Sequence, residues 1–506
     1  MGVLARNAYY NWLGFVVNLV ITLLVTPFII HSLGTNLYGI WALTISITGY
    51  FGLLNFGVYN SVVKYISEYK AKNDYIQVSH VASACFTFFA FIGLLVFVLS
   101  IPLSLNFTRL FKAASSYHNC ALVVFFVLFQ LALEFPFRVF RSILSGMQRY
   151  DVTNVIFIIT AVVRTLLMVI ALKMGYALLS LILIGFITNI IPYASIYLYV
   201  RRKFPQVHIR FCMPPQQTIK MLFSYSVLVF VISIATTVIN SSSAILAAAL
   251  ISAEAVAYFA IASRFIGYLY TLVQTGVEVL TPAISELEAK GEVDKIRDIF
   301  YYTTEMLLLL TLPLGVFAIF LGRPFFNLWL GEKFIISFYL LIILMVPQVF
   351  SLGLQSACAV MFGMARLKFL TWAKIIEAVM VVVLSIALVK PFGIKGIAFG
   401  LSIPVLLIEG VAVFIYTLIF LKISLFKFLK KSLFLPLAAS IILSGLLVLC
   451  NRYMRTYNWY SFAGEMFFGL LLYIFSVAVL SPKDHKAKVI FRSFVSSFLR
   501  AKNTPR

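Results

Sequence analysis

Charged residues are scarce in this chain. Only 11% of its 506 residues are Asp, Glu, Lys or Arg, while 62% are apolar and the mean hydropathy is +1.03. A soluble domain carries about 25% charged residues, so a water-soluble globule is excluded. Segments of alternating polarity are missing too, because apolar runs such as 81–100 and 433–450 are continuous, and this excludes a transmembrane β-barrel. Repeated apolar runs of about 20 residues predict an all-α polytopic membrane protein.

Cysteine, histidine and aspartate are also few, with five of each. The cysteines are scattered without a C-x-x-C or Cys/His spacing, which argues against a disulfide framework or a zinc site. No D-x-D pair, H-E-x-x-H, Walker loop or G-x-S-x-G occurs in the sequence. We therefore expect no enzymatic activity, no cofactor and no metal.

Acidic residues are outnumbered, with 17 Asp and Glu against 40 Lys and Arg and a formal charge of +23. In a soluble protein this excess would suggest a nucleic-acid partner. With a cytoplasmic amino terminus, however, 28 of the basic residues fall in the predicted inside segments and 9 in the outside loops. The positive-inside rule thus explains the charge without nucleic acid and predicts that both termini are cytoplasmic.

Hydropathy predicts about 14 transmembrane helices. They cover approximately 9–30, 38–62, 80–104, 119–140, 153–172, 176–200, 222–250, 255–281, 302–321, 337–362, 369–389, 396–420, 433–450 and 460–481. We divide the chain into an amino-terminal lobe (1–205, spans 1–6), a carboxy-terminal lobe (215–425, spans 7–12), two accessory spans (432–481) and a basic cytoplasmic tail (482–506).

An internal repeat supports this division. The segment I-S-E-Y-K-A-K at 66–72 returns as I-S-E-L-E-A-K at 284–290, and the same offset in residue number maps Gly-Tyr at 49–50 onto Gly-Tyr at 267–268. Span 2 therefore corresponds to span 8. Because an even number of spans separates them, the repeat is parallel, with a pseudo-twofold axis along the membrane normal. It predicts two six-helix lobes with the substrate at their interface.

Three basic residues lie well away from the ends of predicted spans, namely Arg264, Arg164 and Lys374. Each costs about 2.5 to 3.5 kcal/mol on insertion scales and so needs a reason. Guanidinium groups bind phosphate oxygens in a bidentate manner, which makes these side chains candidate ligands of a diphosphate. Arg264 is favoured as a diphosphate ligand because the repeat places Ser46 at the equivalent position. One lobe thus has a cation where the other has a hydroxyl, and this asymmetry suits a ligand with one charged end. The alternative is internal pairing, of Lys374 with Glu377 or of the arginines with Glu134, Glu278 or Glu409.

Polar residues form stripes on several predicted spans. Such stripes line a wet cavity or hold helices together by hydrogen bonds, and the sequence leaves both uses open. Spans 1 and 7 correspond in the repeat, which favours a cavity for the polar residues of these two spans. The candidate cavity residues are Asn11, Asn18 and Thr22 in span 1, Ser233, Thr237 and Asn240 in span 7, and also Ser46 in span 2 and Gln274 in span 8.

Acids inside predicted spans that could bind a coupling proton or sodium ion are Glu134, Glu278, Glu305, Glu377 and Glu409. Glu134, Glu377 and Glu409 are the candidate coupling acids, and none of them stands out from the sequence. Glu134 precedes Arg138 by four positions, the spacing of a helical ion pair. That spacing favours a structural role for Glu134.

The amino-terminal sequence resembles a known family. The resemblance rests on four motifs: P-F-I-I-H-S-L-G-T-N-L-Y-G-I-W-A-L at 27–43, S-I-T-G-Y-F-G-L-L-N-F-G at 46–57, Arg-Asn at 6–7 and G-M-Q-R-Y-D at 146–151. They resemble the bacterial polysaccharide and O-antigen repeat-unit flippases of the multidrug, oligosaccharidyl-lipid and polysaccharide exporter superfamily. The residue-level match lies mainly within positions 1–150.

The resemblance implies a multi-pass protein of the bacterial cytoplasmic (inner) membrane. Its expected substrate is undecaprenyl-diphosphate-linked oligosaccharide, moved from the inner to the outer leaflet for lipopolysaccharide or other polysaccharide biosynthesis. Membrane lipid, a polysaccharide polymerase and assembly proteins are the other expected partners. Helices 1, 2, 7 and 8 of the family line the cavity, which would place Arg264 there.

Two other functions stay open. One is a cation-coupled drug or small-solute exporter of the same superfamily, although spans 1 and 2 contain no acid. The other is a polytopic polysaccharide polymerase or ligase, although the outer loops contain few catalytic groups.

Overall fold

The structure, a computed structural model, describes residues 3–56, 58–111, 117–211, 227–277, 280–453 and 458–481. The predicted tail at 482–506, Glu278 and most of the linker between the predicted lobes lie outside these residues.

Helices make up nearly all of the described chain, and no strand occurs in these residues. Thirteen of the helical segments are long and apolar enough to cross a membrane. The prediction of an all-α polytopic membrane protein is therefore confirmed. In chain order the α-helices are α1 Val3–Gly52, α2 Val58–Ala71, α3 Tyr75–Leu110, α4 Cys120–Gly146, α5 Tyr150–Lys173, α6 Leu178–Lys203, α7 Val227–Leu250, α8 Ala253–Val277, α9 Leu280–Ala289, α10 Val293–Leu330, α11 Ile335–Gly353, α12 Ser356–Gly363, α13 Leu367–Phe392, α14 Ile394–Val405, α15 Phe414–Phe420, α16 Leu425–Phe428, α17 Phe434–Tyr453 and α18 Trp459–Leu480.

The first helical segment contains two predicted spans. Its apolar stretch, Tyr10–Asn55, has 46 residues, which at 1.5 Å per residue is about 69 Å, over twice the hydrocarbon thickness. The helix breaks at Gly34, whose φ of 78° and ψ of 162° are conformations that glycine adopts without strain. Counting one span on each side of Gly34 brings the total to the predicted number of about 14.

Two compact units form, one of Met1–Ala260 with Val382–Ile397 and one of Ile261–Val381 with Ala398–Arg506. The first has a core of α2, α3 and α4 side chains that includes Phe89 and Phe135, both fully buried. The second contains a cluster from α10, α17 and α18 that includes Leu443. These units divide the chain at other places than the predicted lobes, whose boundaries stay a prediction.

The two copies of the internal repeat make the same helix contacts. In the first copy the Ser67 hydroxyl donates to the Gly146 carbonyl over 3.1 Å, and in the second copy the Ser285 hydroxyl donates to the Gly363 carbonyl over 2.8 Å. A Cβ at Gly146 would lie 2.6 Å from Cγ2 of Ile66, and a Cβ at Gly363 would lie 2.6 Å from Cγ2 of Ile284. Only glycine permits so close a helix contact in each copy.

A surface ion pair is repeated as well. Lys72 pairs with Glu68 over 2.7 Å, and Lys290 pairs with Glu286 at the equivalent positions of the second copy. The hydrogen bond from each lysine raises the pKa of that lysine, and the bond from Lys290 lowers the pKa of Glu286. The short stretch that carries the sequence repeat thus has the same local geometry in both copies.

The offset between the copies shortens by one along the chain. It is 218 at Ser67 and Ser285 but 217 at Gly146 and Gly363, and 217 also separates the start of α5 from the start of α13. The bond from Phe204 N to Val200 O, 2.9 Å long, has its counterpart from Leu421 N to Thr417 O, also 2.9 Å. The offset of 217 therefore relates α4, α5 and α6 to the helices that end at Gly363, Phe392 and Phe420.

Candidate functional site

Arg264 lies near the middle of α8 and is exposed, as are Gly267 and Thr271 at successive helical spacings. Gln274 borders this exposed face, and its side chain donates to the Tyr270 hydroxyl over 2.6 Å. No ion pair within the described residues includes Arg264. A membrane span with an exposed guanidinium at mid-length needs water, an anion or polar protein opposite it.

Arg164, the second predicted cation, lies near the middle of α5 and is half-buried. Its neighbour is Tyr193 of α6. As with Arg264, it joins no ion pair in the part of the chain that the structure describes. There, internal pairing of the two arginines with Glu134 or Glu409 does not occur, because both acids pair with other cations.

Lys374, the third predicted cation, is enclosed by acids. Its ammonium donates to Glu377 over 3.1 Å and to Glu409, and the Ser351 hydroxyl donates to the other oxygen of Glu409 over 2.7 Å. The Glu377 side chain is fully buried, and one of its oxygens has no hydrogen-bond partner in the described residues. The pairing of Lys374 with Glu377 that their spacing suggested is thus confirmed, and Glu409 joins it from the next span.

Glu409 belongs to a π-helical turn, Leu406–Val413, between α14 and α15. Turns of this kind contain one surplus residue and occur often at functional sites. The sequence did not predict this turn, because hydropathy and spacing carry no signal for a helix that gains a residue. It did not predict the hydrogen bond from Ser351 either, because that bond joins two different helices.

The polar stripe of α1 has mixed contacts. Asn11 accepts a hydrogen bond from Asn154 of α5 over 2.6 Å, while Asn18 donates to the Gly14 carbonyl of its own helix over 3.1 Å. Both asparagines are exposed and Thr22 is half-buried. Asn11 therefore holds two helices together, and Asn154 is a partner that sequence reasoning missed.

The polar stripe of α7 includes Ser233 and Asn240, which are exposed, and Thr237, which is half-buried. Ser46 of α1 donates to the Ala42 carbonyl over 2.9 Å. Elsewhere on predicted span 2 the helix backbones approach closely, since a Cβ at Gly39 would overlap the carbonyl group at the first residue of α8. Predicted span 2 is therefore packed backbone to backbone against the start of α8.

Glu134, the remaining candidate acid, lies on α4. Its carboxylate accepts a hydrogen bond from Nε of Arg138 over 3.1 Å, so the ion pair that their helical spacing predicted is confirmed. Both side chains line a cavity of about 330 Å³ inside the first unit.

Comparisons with known proteins agree with this architecture. The polysaccharide biosynthesis protein family matches residues 4–288. A putative O-antigen transporter from Shigella flexneri is 21% identical over 425 residues, which cover 81% of this chain and 97% of the relative.

Solved structures share the fold. The lipid II flippase MurJ in an inward closed conformation aligns with a TM-score of 0.68 at 19% identity, covering 94% of this chain and 98% of that chain. An inward-facing multidrug resistance MATE family transporter of the MOP superfamily aligns with a TM-score of 0.65 at 14% identity, covering 81% and 94%. At such identities the likeness shows the fold alone. The family match, in contrast, extends over more than half of the sequence and confirms the resemblance carried by its amino-terminal motifs, so this multi-pass membrane protein belongs to the polysaccharide biosynthesis protein family.

Proposed function

We propose that the protein is a flippase for undecaprenyl-diphosphate-linked oligosaccharide, which it moves from the inner to the outer leaflet of the bacterial cytoplasmic membrane. The O-antigen transporter among its relatives and the fold shared with a lipid II flippase support this substrate class. Both termini are cytoplasmic in this proposal, as the distribution of Lys and Arg predicts. The protein itself performs no covalent step.

The exposed face of α8 carries the proposal. Arg264 stands near the middle of its span without a carboxylate partner in the described residues, and a diphosphate is a ligand whose oxygens match a guanidinium. Tyr270 and Gln274, two to three turns further along the helix, suit sugar hydroxyls. Arg164 is a second phosphate contact in this proposal, and the polar stripes of α1 and α7 receive the glycan.

We assign Lys374 to a different role. Because two carboxylates already surround its ammonium, it is less suited to a diphosphate than the two arginines. Lys374, Glu377 and Glu409 contain one cation and two acids, so the cluster can take up one proton or sodium ion, and we propose it as the coupling site. Glu134, paired with Arg138, stabilises α4.

Deletion of the protein tests the function. Lipid-linked oligosaccharide should accumulate on the inner leaflet and surface polysaccharide should disappear; unchanged export would reject the proposal. For the site, Arg264→Ala should abolish export and Arg264→Lys should retain part of it, at unchanged protein abundance. Arg452→Ala removes an exposed arginine at the end of α17 and serves as the matched control.

A drug exporter is the second candidate and has less support. The apolar segment of α1 contains no acid that could bind a coupling cation. Efflux of cationic dyes by the purified protein in vesicles, without any effect of deletion on surface polysaccharide, would favour this alternative.

A further inference from the structure

The cavity inside the first unit has no role in the proposed transport. Its volume is about 330 Å³, at the lower end of small-molecule sites. One face of α4 provides Gln130, Glu134, Arg138 and Arg141, which follow each other at helical spacings of three and four. Helix α6 adds Asn189. Polar and charged groups of two helices thus converge on one cavity.

The charges of this cavity are unbalanced. Arg138 is neutralised by Glu134 at 3.1 Å. Arg141 instead lies over the ring of Phe157, 5.1 Å from its centroid, and has no carboxylate partner in the described part of the chain. The cavity lining therefore contains two guanidinium groups and one carboxylate, and one more anion would balance its charge.

The second unit has different side chains at the positions equivalent to this cavity. At the offset of 217 between the two copies, Phe157 corresponds to Lys374 and Glu134 to Ser351. Lys374 is bound by two carboxylates, and Ser351 donates to one of them.

The two acids of the second unit have no counterparts in the first. Glu377 corresponds to Thr160 and Glu409 to Pro192. At this position of the repeat, the second unit therefore has two carboxylates that pair with its cation. The first unit has Arg141 there, without a carboxylate partner in the described residues. A ligand with anionic oxygens would supply what the first unit lacks.

The cavity lies toward one end of α4. Arg141 is five positions before the last residue of this helix, Gly146, or about 7.5 Å at 1.5 Å per residue. Lys70 donates to the Met147 carbonyl over 3.2 Å at the same end, and α6 ends with three consecutive basic residues. Basic residues gather at the ends of membrane spans, so we infer that Arg141 lies near the level of the lipid headgroups and that Glu134 lies deeper.

We propose that this cavity binds a phosphate-bearing group, with phosphoryl oxygens held by Arg141 and Arg138. The side-chain amides of Gln130 and Asn189 hydrogen-bond to the remaining oxygens. The ring of Tyr193, stacked on Phe137 at 5.3 Å, forms an aromatic wall. The site is separate from Arg264, and the proposal does not rest on the proposed function.

Two sources of phosphoryl oxygens fit this chemistry, a diphosphate headgroup carried on a membrane lipid and a soluble phosphate compound. Purified protein in neutral phosphatidylcholine nanodiscs is titrated calorimetrically with farnesyl diphosphate in one arm and with inorganic pyrophosphate in the other. Tighter binding of farnesyl diphosphate assigns the site to a lipid, and equal binding assigns it to a soluble compound. Binding of neither probe overturns the proposal.

Variants with opposite expected signs identify the site. Arg141→Gln should weaken binding at least about tenfold, because it removes charge-assisted hydrogen bonds. Glu134→Gln should strengthen binding severalfold, because the probe no longer competes with a carboxylate for Arg138. A purely structural role of these residues would weaken binding in both variants.

Controls separate this site from the transport site. Arg201→Gln removes an exposed arginine of α6 that also contacts a tyrosine ring, Tyr197, and should leave binding unchanged. Arg264→Ala alters only the proposed transport site, so adding Arg141→Gln to that variant should weaken the remaining binding by the same factor as in the parent protein. If Arg141→Gln does not fold, Arg141→Lys keeps the charge and should lose part of the affinity. Equal effects of Arg141→Gln and Arg201→Gln, or weaker binding by Glu134→Gln, would overturn the proposal.

Discussion

Replacing Lys374 by methionine removes the cation that two buried carboxylates share. The Lys374 and Glu409 side chains are 11% and 14% exposed and that of Glu377 is fully buried, so water cannot take over the role of the ammonium. Breaking a buried ion pair by removing one partner costs about 3 to 5 kcal/mol. For a unit of this size that corresponds to a decrease in Tm of roughly 6 to 20 °C.

The triple variant Lys374→Met/Glu377→Gln/Glu409→Gln supplies the sharper test. With all three charges removed, the desolvation penalty disappears together with the attraction, so most of the stability should return. Thermal unfolding in one detergent, followed by intrinsic fluorescence, measures both variants. Lys173→Met at the end of α5, where the lysine is exposed, is the control and should unfold like the parent protein. An unchanged Tm for Lys374→Met, or a triple variant as unstable as the single one, would refute the reasoning.

Three further predictions concern stability. Gly363→Ala and Gly146→Ala should each destabilise by about 1 to 3 kcal/mol, because both place a Cβ 2.6 Å from an isoleucine methyl group, and denaturant titrations of the two variants should agree closely. Gly39→Ala should greatly reduce the yield of folded protein, since its Cβ would overlap a backbone oxygen, whereas Gly464→Ala, with nothing within 4 Å, should raise stability by about 0.5 to 1 kcal/mol; size-exclusion profiles and Tm values separate them. Asn458→Ala should cost α18 about 1 kcal/mol, because the Asn458 side chain accepts the first-turn amide of Ser461 over 2.8 Å, and faster hydrogen exchange at that turn would show it.

The sequence predicted the number of spans well because hydrocarbon thickness sets a length that hydropathy detects directly. It placed helix ends poorly. Helix α10 begins at Val293 and ends at Leu330, well beyond the predicted 302–321, since its polar first turns extend outside the apolar window. Hydropathy reports the buried part of a helix and not its full length.

Side-chain pairing was predictable only within a helix. Helical spacings gave the pairs of Lys374 with Glu377 and of Arg138 with Glu134. Contacts between helices, such as Asn154 with Asn11 or Glu409 with Lys374, depend on how distant segments pack, which spacing along one helix cannot specify. The repeat could be detected in the sequence because both copies of one packing motif contain the same small residues, such as Ser67 and Ser285.

The surplus residue in the π-helical turn at 406–413 fixes the rotational phase of the helix around Glu409. Each residue of an α-helix advances the side-chain direction by about 100°. Removing one residue from this turn would restore regular α-helical winding and rotate one flank by that angle relative to the other. The carboxylate could then face Lys374 only if the rest of the span turned with it, so a single-residue deletion here would uncouple the cation from its second acid without altering either side chain.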